Sequence, residues 1–257
     1  MAAKRTRLDK LLVDRGLVPS RERARRLIMA GEVWSAERRI DKPGALVDTD
    51  ASLEVRGADI PFVSRGGLKL DAALTHWQID VRGRVAVDIG ASTGGFTDCL
   101  LQRGAAHVYA IDVGYGQFAW RLRQDPRVTL FERANARDFD PAQLPQPGDL
   151  AVIDVSFISL RLVLASALRL VRPGGTILPL VKPQFEVGKG EVGKGGVVRD
   201  PAQHAAVVQA VRECAAALGL RCHGSFESPV PGPKGNLEFF LYLTADTSAA
   251  GASPGVV

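Results

Sequence analysis

Residues 85–101, V-A-V-D-I-G-A-S-T-G-G-F-T-D-C-L-L, decide the fold of this 257-residue chain. A β-branched apolar run leads into Asp88, the glycines Gly90, Gly94 and Gly95 follow, and apolar residues then recur at helical spacing. The pattern predicts a buried strand, a tight turn and a helix. In an open parallel sheet such a turn binds nucleotide-like ligands, because glycines let the backbone approach the ligand and the helix start presents free N–H groups.

The spacing of these glycines argues against a dinucleotide ligand. The motif G-x-G-x-x-G is absent, and Asp88 precedes the first glycine. A second acid, Asp112, ends the next apolar run, where a Rossmann-type unit carries its ribose-binding carboxylate. An adenosine ligand without a pyrophosphate fits this pattern better. The alternative is that the glycines serve only the turns of an α/β domain.

Composition limits the class of protein. Hydrophobic residues make up 46% of the chain, as in soluble globular proteins, and no apolar run reaches the length of a membrane span. The basic N-terminus is not followed by a secretory signal, so we expect a cytoplasmic protein. Cys99, Cys214 and Cys222 form no C-x-x-C pair, which argues against a zinc site or a disulfide framework and predicts no metal requirement.

The net charge of +5 is unevenly spread along the chain. Residues 1–31 hold nine Lys or Arg against three acids, whereas the remaining residues hold 24 against 25. This asymmetry predicts a polyanion-binding element attached to a nearly neutral body.

Two short helices are predicted in the basic segment. Leu8, Leu11 and Leu12 recur at helical spacing before Gly16, and Ser20 offers an N-cap for a second helix over 21–30. We expect the second helix to bury its apolar stripe and to leave its arginines solvated for phosphate binding; the alternative is an ordinary charged helix face. The residues predicted to bind the phosphates of such a polyanion are Arg5, Arg7, Lys10, Arg21, Arg23, Arg25, Arg26 and, further along the chain, Arg65.

The pattern R-L-D-K-L-L-V-D-R-G-L-V-x-S-R-x-x-A-x-x-L-I-x-x-G-x-V, followed by Asp41-Lys42-Pro43-Gly44, resembles an S4 RNA-binding domain. The resemblance implies a small α+β domain, which we assign to residues 1–56. The chain departs from the family at residues 33–37, V-W-S-A-E, where the family carries V-x-V-N-G at a strand turn. Glycine, proline and charge at residues 57–64 predict a linker.

Seven short apolar runs follow residue 84 and alternate with amphipathic segments; they are residues 85–89, 108–111, 128–131, 150–155, 176–181, 222–227 and 238–244. Helices are predicted between the first six runs. The Pro/Gly-rich loop 229–235 joins the last two and favours an antiparallel last strand. This arrangement resembles the Rossmann-like sheet of class I S-adenosylmethionine-dependent methyltransferases and predicts such a domain over 65–244. The tail 245–257 is predicted to be disordered.

Four charged residues from distant parts of the sequence are expected at the carboxyl edge of this sheet. Asp154 ends the fourth predicted strand, Lys182 follows the fifth, and Glu238 begins the seventh. Lys69 lies in the first turn of a helix predicted over 68–77, where a cation opposes the helix dipole. Each has an ordinary alternative as a solvated strand end, a helix cap, a surface strand residue or a helix charge.

Lys69, Asp154, Lys182 and Glu238, in this order, are what ribose 2′-O-methyltransferases of the FtsJ type carry. With the S4 pattern, Asn135-Ala136-Arg137, Lys182-Pro-Gln-Phe-Glu186 and Val192-Gly-Lys-Gly-Gly196, the chain is similar to the TlyA family of rRNA cytidine 2′-O-methyltransferases, historically also labelled haemolysins. The resemblance implies S-adenosylmethionine as cofactor and ribosomal RNA or ribosomal subunits as partner. The implied cofactor residues are Asp88, Gly90, Ala91, Ser92, Thr93, Gly94, Gly95, Phe96, Asp112, Asn135 and Ala136.

By the same resemblance, Lys182 is the general base for a ribose hydroxyl, and Lys69, Asp154 and Glu238 orient it. A lysine amine is mostly protonated at neutral pH. A nearby sulfonium, Lys69 or desolvation favours the neutral amine, whereas Asp154 and Glu238 favour the charged one. The alternative is that Lys182 stays charged and positions the hydroxyl.

One motif match points elsewhere. Residues 188–194, G-K-G-E-V-G-K, match the start of a Walker A motif, but Gly195 replaces the magnesium-binding hydroxyl and no helix opens at once. We expect a basic loop that closes over RNA instead. Two other functions stay open: an RNA-binding ribosome-assembly factor without catalysis, and a membrane-lytic protein, against which the lack of a spanning segment argues.

Overall fold

A computed structural model of the chain describes residues 5–18, 20–29, 31–36, 38–55, 60–188, 190, 192–193 and 195–245. It divides into two units, Met1–Pro61 and Phe62–Val257, and the boundary falls inside the predicted linker. The predicted disordered tail, apart from residue 245, and residues 57–59 of that linker lie outside the described residues.

In its described residues, the first unit contains two helices, five short strands and a small apolar core. The elements are β1 (Arg5–Arg7), α1 (Leu8–Asp14), α2 (Arg21–Met29), β2 (Val33–Ser35), β3 (Arg38–Arg39), β4 (Leu46–Asp48) and β5 (Leu53–Val55). β1 pairs with β4, and β2 pairs with β3 and β5, all antiparallel. Leu8, Leu12, Leu27, Ile28 and Val33 pack in one buried cluster, so the predicted helices and the α+β class are confirmed.

Two details of this unit differ from the sequence pattern. The hairpin of β2 and β3 forms without V-N-G, with Trp34 opposite Arg39 and the turn residue Ala36 at φ 51°. Arg23 is 9% exposed, so the expectation of a solvated side chain was wrong. The reason is that Arg23 lies one helical turn before Leu27 and shares its buried side of α2.

The second unit forms, in its described residues, a seven-stranded sheet with helices between most of its strands along the chain. Its elements are α3 (Arg65–His76), β6 (Val85–Ile89), α4 (Gly95–Gln102), β7 (His107–Asp112), α5 (Trp120–Arg123), β8 (Val128–Glu132), β9 (Gly148–Ile153), α6 (Leu164–Leu170), β10 (Val171–Val181), α7 (Pro183–Glu186), α8 (Pro201–Ala217), β11 (Leu220–Glu227) and β12 (Phe239–Ala245).

The strand order is β11-β12-β10-β9-β6-β7-β8. β12 runs antiparallel to both of its neighbours, and the pairs among β10, β9, β6, β7 and β8 are parallel. This confirms the predicted Rossmann-like sheet with an antiparallel last strand. The carboxyl ends of β6, β7, β9 and β10 therefore lie at one edge of the sheet.

Two local predictions in this unit were wrong. Residues 133–147, all of them described, contain only a 3-10 turn at Pro141–Gln143 where a helix was expected. α3 begins at Arg65, so Lys69 lies in the second turn of the helix and not in the first. The dipole of a helix acts mainly within its first turn, so its effect on Lys69 is weaker than expected.

Fully buried apolar residues fix the strand ends that carry the site. Val87, Ile89, Ile111, Ile153 and Val181 are at most 1% exposed and belong to one core cluster.

In the described part of the chain, no helix is both long enough and apolar enough to span a membrane.

Candidate active site

The turn after β6 needs glycine for steric reasons. Gly90 has φ 84° and donates its N–H to the carbonyl of Ile111 at 2.9 Å. A Cβ at position 90 would lie 2.5 Å from the carbonyl oxygen of Asp154, inside van der Waals contact. Gly94, at φ 92°, is similarly crowded by Leu122. The turn therefore brings β6 closer to the end of β9 than any residue with a side chain would allow.

A cavity of about 270 Å³ opens beside this turn, and we call it the Asp112 cavity. Ile89, Ile111 and Val163 give it apolar walls, and Asn135 and Ala136 line it too. The Asp112 carboxylate accepts hydrogen bonds from the backbone N–H groups of Ser92 at 2.7 Å and Gly114 at 2.6 Å and from Gln117 Nε2 at 3.0 Å. Because a carboxylate has about four acceptor positions, roughly one remains for a ligand hydroxyl.

Asp88 lies beneath the turn and lines neither of the two cavities at this edge. It is fully buried, and its Oδ2 accepts a hydrogen bond from Thr97 Oγ1 at 2.6 Å. Within the described residues, its Oδ1 has no hydrogen-bond partner. Burial raises the pKa of Asp88 to about 7, against the Thr97 hydroxyl, which lowers it, and with a further increase from the charge of Asp154.

All four predicted catalytic residues line a second cavity of about 370 Å³, which we call the Lys182 cavity. Lys69 Nζ lies 2.5 Å from Glu238 Oε2, and Lys182 Nζ lies 2.5 Å from Asp154 Oδ1. Lys182 Nζ also donates a hydrogen bond to Ser156 Oγ at 2.9 Å. The convergence predicted from the strand ends is therefore present, as two ion pairs.

The two cavities are neighbours that share three lining residues. Gly90, Ser92 and Asp154 line both of them, and Ala91, Thr93, Gly95 and Phe96 of the same turn line the Lys182 cavity. A ligand at the glycine turn would therefore reach the ion-paired lysines. Asp154 stands where the two spaces meet.

Burial explains why the charges occur in pairs. The side chains of Lys69 and Lys182 are 9% and 10% exposed, and that of Glu238 is fully buried. A buried charge without a partner is strongly unfavourable, so each ammonium is matched by a carboxylate. Glu238 Oε1 has no hydrogen-bond partner among the described residues, and it occupies the space beside Gly232, where a Cβ would lie 2.0 Å away.

Two polar residues were missed in the sequence, Ser156 in the site and Glu186 beside it. Ser156 follows Asp154 by two positions, and this spacing was its only signal. Glu186 ends the K-P-Q-F-E motif, to which no role was given. Its carboxylate accepts hydrogen bonds from Ser159 Oγ at 2.6 Å and from the Leu160 N–H at 2.7 Å. Glu186 thus ties the segment after β9 to the segment after β10.

The predicted RNA-binding residues lie in four kinds of environment. Arg7, Arg21 and Arg25 surround the buried carboxylate of Asp9. Two others form exposed ion pairs, Arg5 with Asp48 and Lys10 with Asp14, whereas Arg23 is buried and Arg26 is partly buried. Arg65 lines the Lys182 cavity, at the start of α3.

The segment resembling a Walker A motif does not lead directly into a helix. Gly193 pairs with Val197 in a short bridge, and α8 begins only at Pro201. Lys189 and Lys194, the cations of the expected basic loop, lie outside the described residues. The closure of this loop over RNA stays a prediction.

Comparisons with known proteins identify the families of both units. The model of the FtsJ-like methyltransferase family matches residues 62–245, and the S4 domain model matches residues 6–53. The 16S/23S rRNA (cytidine-2′-O)-methyltransferase TlyA of Mycobacterium tuberculosis is 50% identical over 99% of this chain and 95% of its own length. The chain belongs to the TlyA family. The predicted family and methyltransferase class are confirmed.

Other proteins similar to this chain carry a hemolysin name. Hemolysin A of Brachyspira hyodysenteriae is 37% identical, with coverage of 92% of this chain and 99% of its own. A solved structure from Streptococcus thermophilus, which also carries a hemolysin name, is 42% identical and superposes with a TM-score of 0.75, covering 95% of this chain and 90% of that chain.

Proposed function

We propose that this TlyA-family protein transfers a methyl group from S-adenosylmethionine to the 2′-hydroxyl of a cytidine ribose in ribosomal RNA. The observation that carries the proposal is the convergence of Lys69, Asp154, Lys182 and Glu238 on a cavity contiguous with the glycine turn. The named activity of the Mycobacterium tuberculosis relative supports the choice of substrate. In this proposal residues 1–56 bind RNA, and residues 65–244 perform the chemistry.

The Asp112 cavity fits the adenosine part of the cofactor. Its apolar walls suit a purine, Asn135 and Ala136 are placed to contact it, and Asp112 can accept a hydrogen bond from a ribose hydroxyl. The space beside Gly90, which a Cβ would fill, lets backbone approach the ligand. When bound, S-adenosylmethionine supplies an electrophilic methyl group on its sulfonium. Asp88, buried with Thr97, supports the turn from below instead of contacting the ligand.

The Lys182 cavity fits the acceptor hydroxyl. We assign the neutral amine of Lys182, formed when its ammonium loses a proton to solvent, to take the proton of the 2′-hydroxyl. The hydroxyl oxygen would bond to the methyl carbon as the bond from that carbon to the sulfonium sulfur breaks. Asp154 Oδ1 and Ser156 Oγ hold this nitrogen in place, and the proton remains on Nζ or passes to Asp154. The Lys69–Glu238 pair places the ammonium of a second lysine in the same cavity without adding net charge, and this nearby cation favours the neutral amine of Lys182. Arg65, the first residue of α3, lines the same cavity and is placed to bind an RNA phosphate.

The test is methyl transfer from tritiated S-adenosylmethionine to purified 30S and 50S ribosomal subunits. The modified nucleoside should be 2′-O-methylcytidine, and Lys182→Met should reduce the single-turnover rate by about a hundredfold or more. Calorimetry with S-adenosylmethionine shows whether this variant keeps a folded cofactor site. If the wild type binds the subunits but transfers nothing to either, the assembly-factor function is correct and the proposed activity is wrong.

The base role of Lys182 has its own test. The single-turnover rate of the wild type is measured against pH, beside Lys182→Arg, which keeps a cation but cannot lose its proton at ordinary pH. A base role predicts a rate that rises with pH in the wild type and a large loss in the arginine variant. A rate in Lys182→Arg close to that of the wild type would establish the positioning role instead.

A further inference from the structure

We infer that Asp9 is a positioning residue, which fixes Arg7, Arg21 and Arg25 as one phosphate-binding surface for RNA. The inference rests on the proposed function, in which the first unit binds RNA. It assigns a role to a carboxylate inside a surface whose other members are all cations.

Asp9 is 0% exposed although it is the second residue of the short helix α1. Its Oδ1 accepts a hydrogen bond from Arg7 Nε at 3.0 Å, and its Oδ2 accepts one from Arg7 Nη2 at 3.0 Å. Arg21 Nη2 donates to Oδ2 at 3.1 Å, and Arg25 Nε lies 3.4 Å from the same oxygen. One buried carboxylate thus holds three guanidiniums from two separate elements.

The three arginines remain available to a ligand. The side chains of Arg7, Arg21 and Arg25 are 46%, 53% and 56% exposed, whereas the Asp9 side chain is covered completely. A guanidinium has five N–H donors, and Asp9 uses two from Arg7 and one from Arg21. Donors not used by Asp9 remain on these half-exposed side chains, and the four groups carry a summed charge of plus two, which suits adjacent phosphates of a nucleic-acid backbone.

Asp9 removes two obstacles to phosphate binding. Three close guanidiniums repel each other, and the carboxylate between them offsets that repulsion. A free arginine side chain also loses rotamer freedom when it binds, and this cost is reduced if the side chain is already held. The Arg7 guanidinium, assisted by Arg21, holds the pKa of Asp9 far below its usual range, so the arrangement stays charged at neutral pH.

The test compares two variants that change the charge equally. Asp9→Asn and Asp14→Asn each remove one negative charge from α1, but Asp14 is exposed and pairs only with Lys10 among the contacts described. Affinity for a fluorescently labelled RNA hairpin is measured by anisotropy with the full chain at several salt concentrations. We expect Asp9→Asn to bind roughly tenfold more weakly, since freed arginines must be ordered on binding. Asp14→Asn should bind as tightly as the wild type or slightly more tightly.

The salt dependence separates positioning from a lost contact. In Asp9→Asn the slope of log affinity against log salt should stay that of the wild type, because every cation is retained. In Arg21→Ala the slope should fall by about one. The inference is overturned if Asp9→Asn binds as tightly as Asp14→Asn, or if its slope falls as much as that of Arg21→Ala.

A second pair of variants covers the case in which Asp9→Asn does not fold, as judged by circular dichroism. Arg21→Lys with Arg25→Lys keeps Asp9 and the net charge but loses the fixed guanidinium geometry. Arg38→Lys with Arg39→Lys changes two exposed arginines of β3 in the same way. The first pair should bind the hairpin several-fold more weakly than the second, and equal affinities would overturn the inference.

The proposed function fails separately, through the absence of methyl transfer by the wild type. Hairpin affinities of the variants test Asp9 whether or not methyl transfer occurs. S-adenosylmethionine affinity should be the same in all these variants, because the Asp112 cavity lies wholly in the second unit.

Discussion

Replacement of Asp88 by asparagine should remove a pH dependence of the free energy of unfolding that arises from the ionisation of this one buried carboxyl group. Asp88 is fully buried beneath the glycine turn, and burial raises its pKa to about 7. In the unfolded chain an aspartate has a pKa of about 3.9. Between these two values the folded state keeps a proton that the unfolded state has released. The free energy of unfolding therefore falls as pH rises through this interval and is level above it.

The size of the effect follows from the shift in pKa. About three pKa units correspond to about 4 kcal/mol, the difference between the fully protonated and the fully ionised limits. About 3 kcal/mol of this lies between pH 5 and pH 8. Since Asp88 is completely buried, solvent screening does not reduce the figure in the way it would for a surface group.

Urea unfolding followed by tryptophan fluorescence measures this difference. A Trp34→Phe background leaves Trp77 and Trp120, both in the second unit, as reporters. Wild type and Asp88→Asn are compared at pH 5, 6, 7 and 8, with Asp80→Asn as the control. Asp80 is an exposed acid whose pKa is lowered to about 2 by its hydrogen bonds with Arg82, so its replacement should give the same difference from the wild type at each of these pH values. A constant difference between wild type and Asp88→Asn from pH 5 to pH 8 would refute the raised pKa.

Three further substitutions test the geometry of the site. Glu238→Ala leaves the Lys69 ammonium buried without its partner and should lower the free energy of unfolding, measured by thermal unfolding, by about 3–5 kcal/mol. The double variant Lys69→Met with Glu238→Gln should recover much of this loss, and no recovery would show that the pair is not coupled. Gly90→Ala should lose more stability and cofactor affinity than Gly83→Ala, because both have positive φ but only position 90 lacks room for a Cβ; equal losses would contradict the steric argument. Glu186→Ala should lower kcat by about tenfold or more with unchanged RNA affinity, because it removes the hydrogen bonds that join the segments following β9 and β10. An unchanged kcat would show that these hydrogen bonds do not position the site.

Much of the active-site architecture follows from the sequence, because its causes are local. Apolar runs and glycines at 85–95 fix a strand and a turn, and the Pro/Gly loop at 229–235 reverses the last strand. Once strands are parallel, their carboxyl ends must share an edge, so the sequence alone is enough to bring Asp154 and Lys182 to one edge of the sheet. Asp112, at the carboxyl end of β7, lies at the same edge for the same reason.

Only the tertiary structure decided which charges meet and which are buried. Lys69 pairs with Glu238 across 169 positions of sequence, and no periodicity distinguishes that pairing from one with Asp154. Asp88 is fully buried beneath the turn, and Arg23 lies on the buried side of α2. The side chain of Asp9 is covered completely, beside its three arginines. The physical reason is that periodicity reports the direction of a side chain from its own element, whereas burial and ion pairing depend on what another element places opposite it.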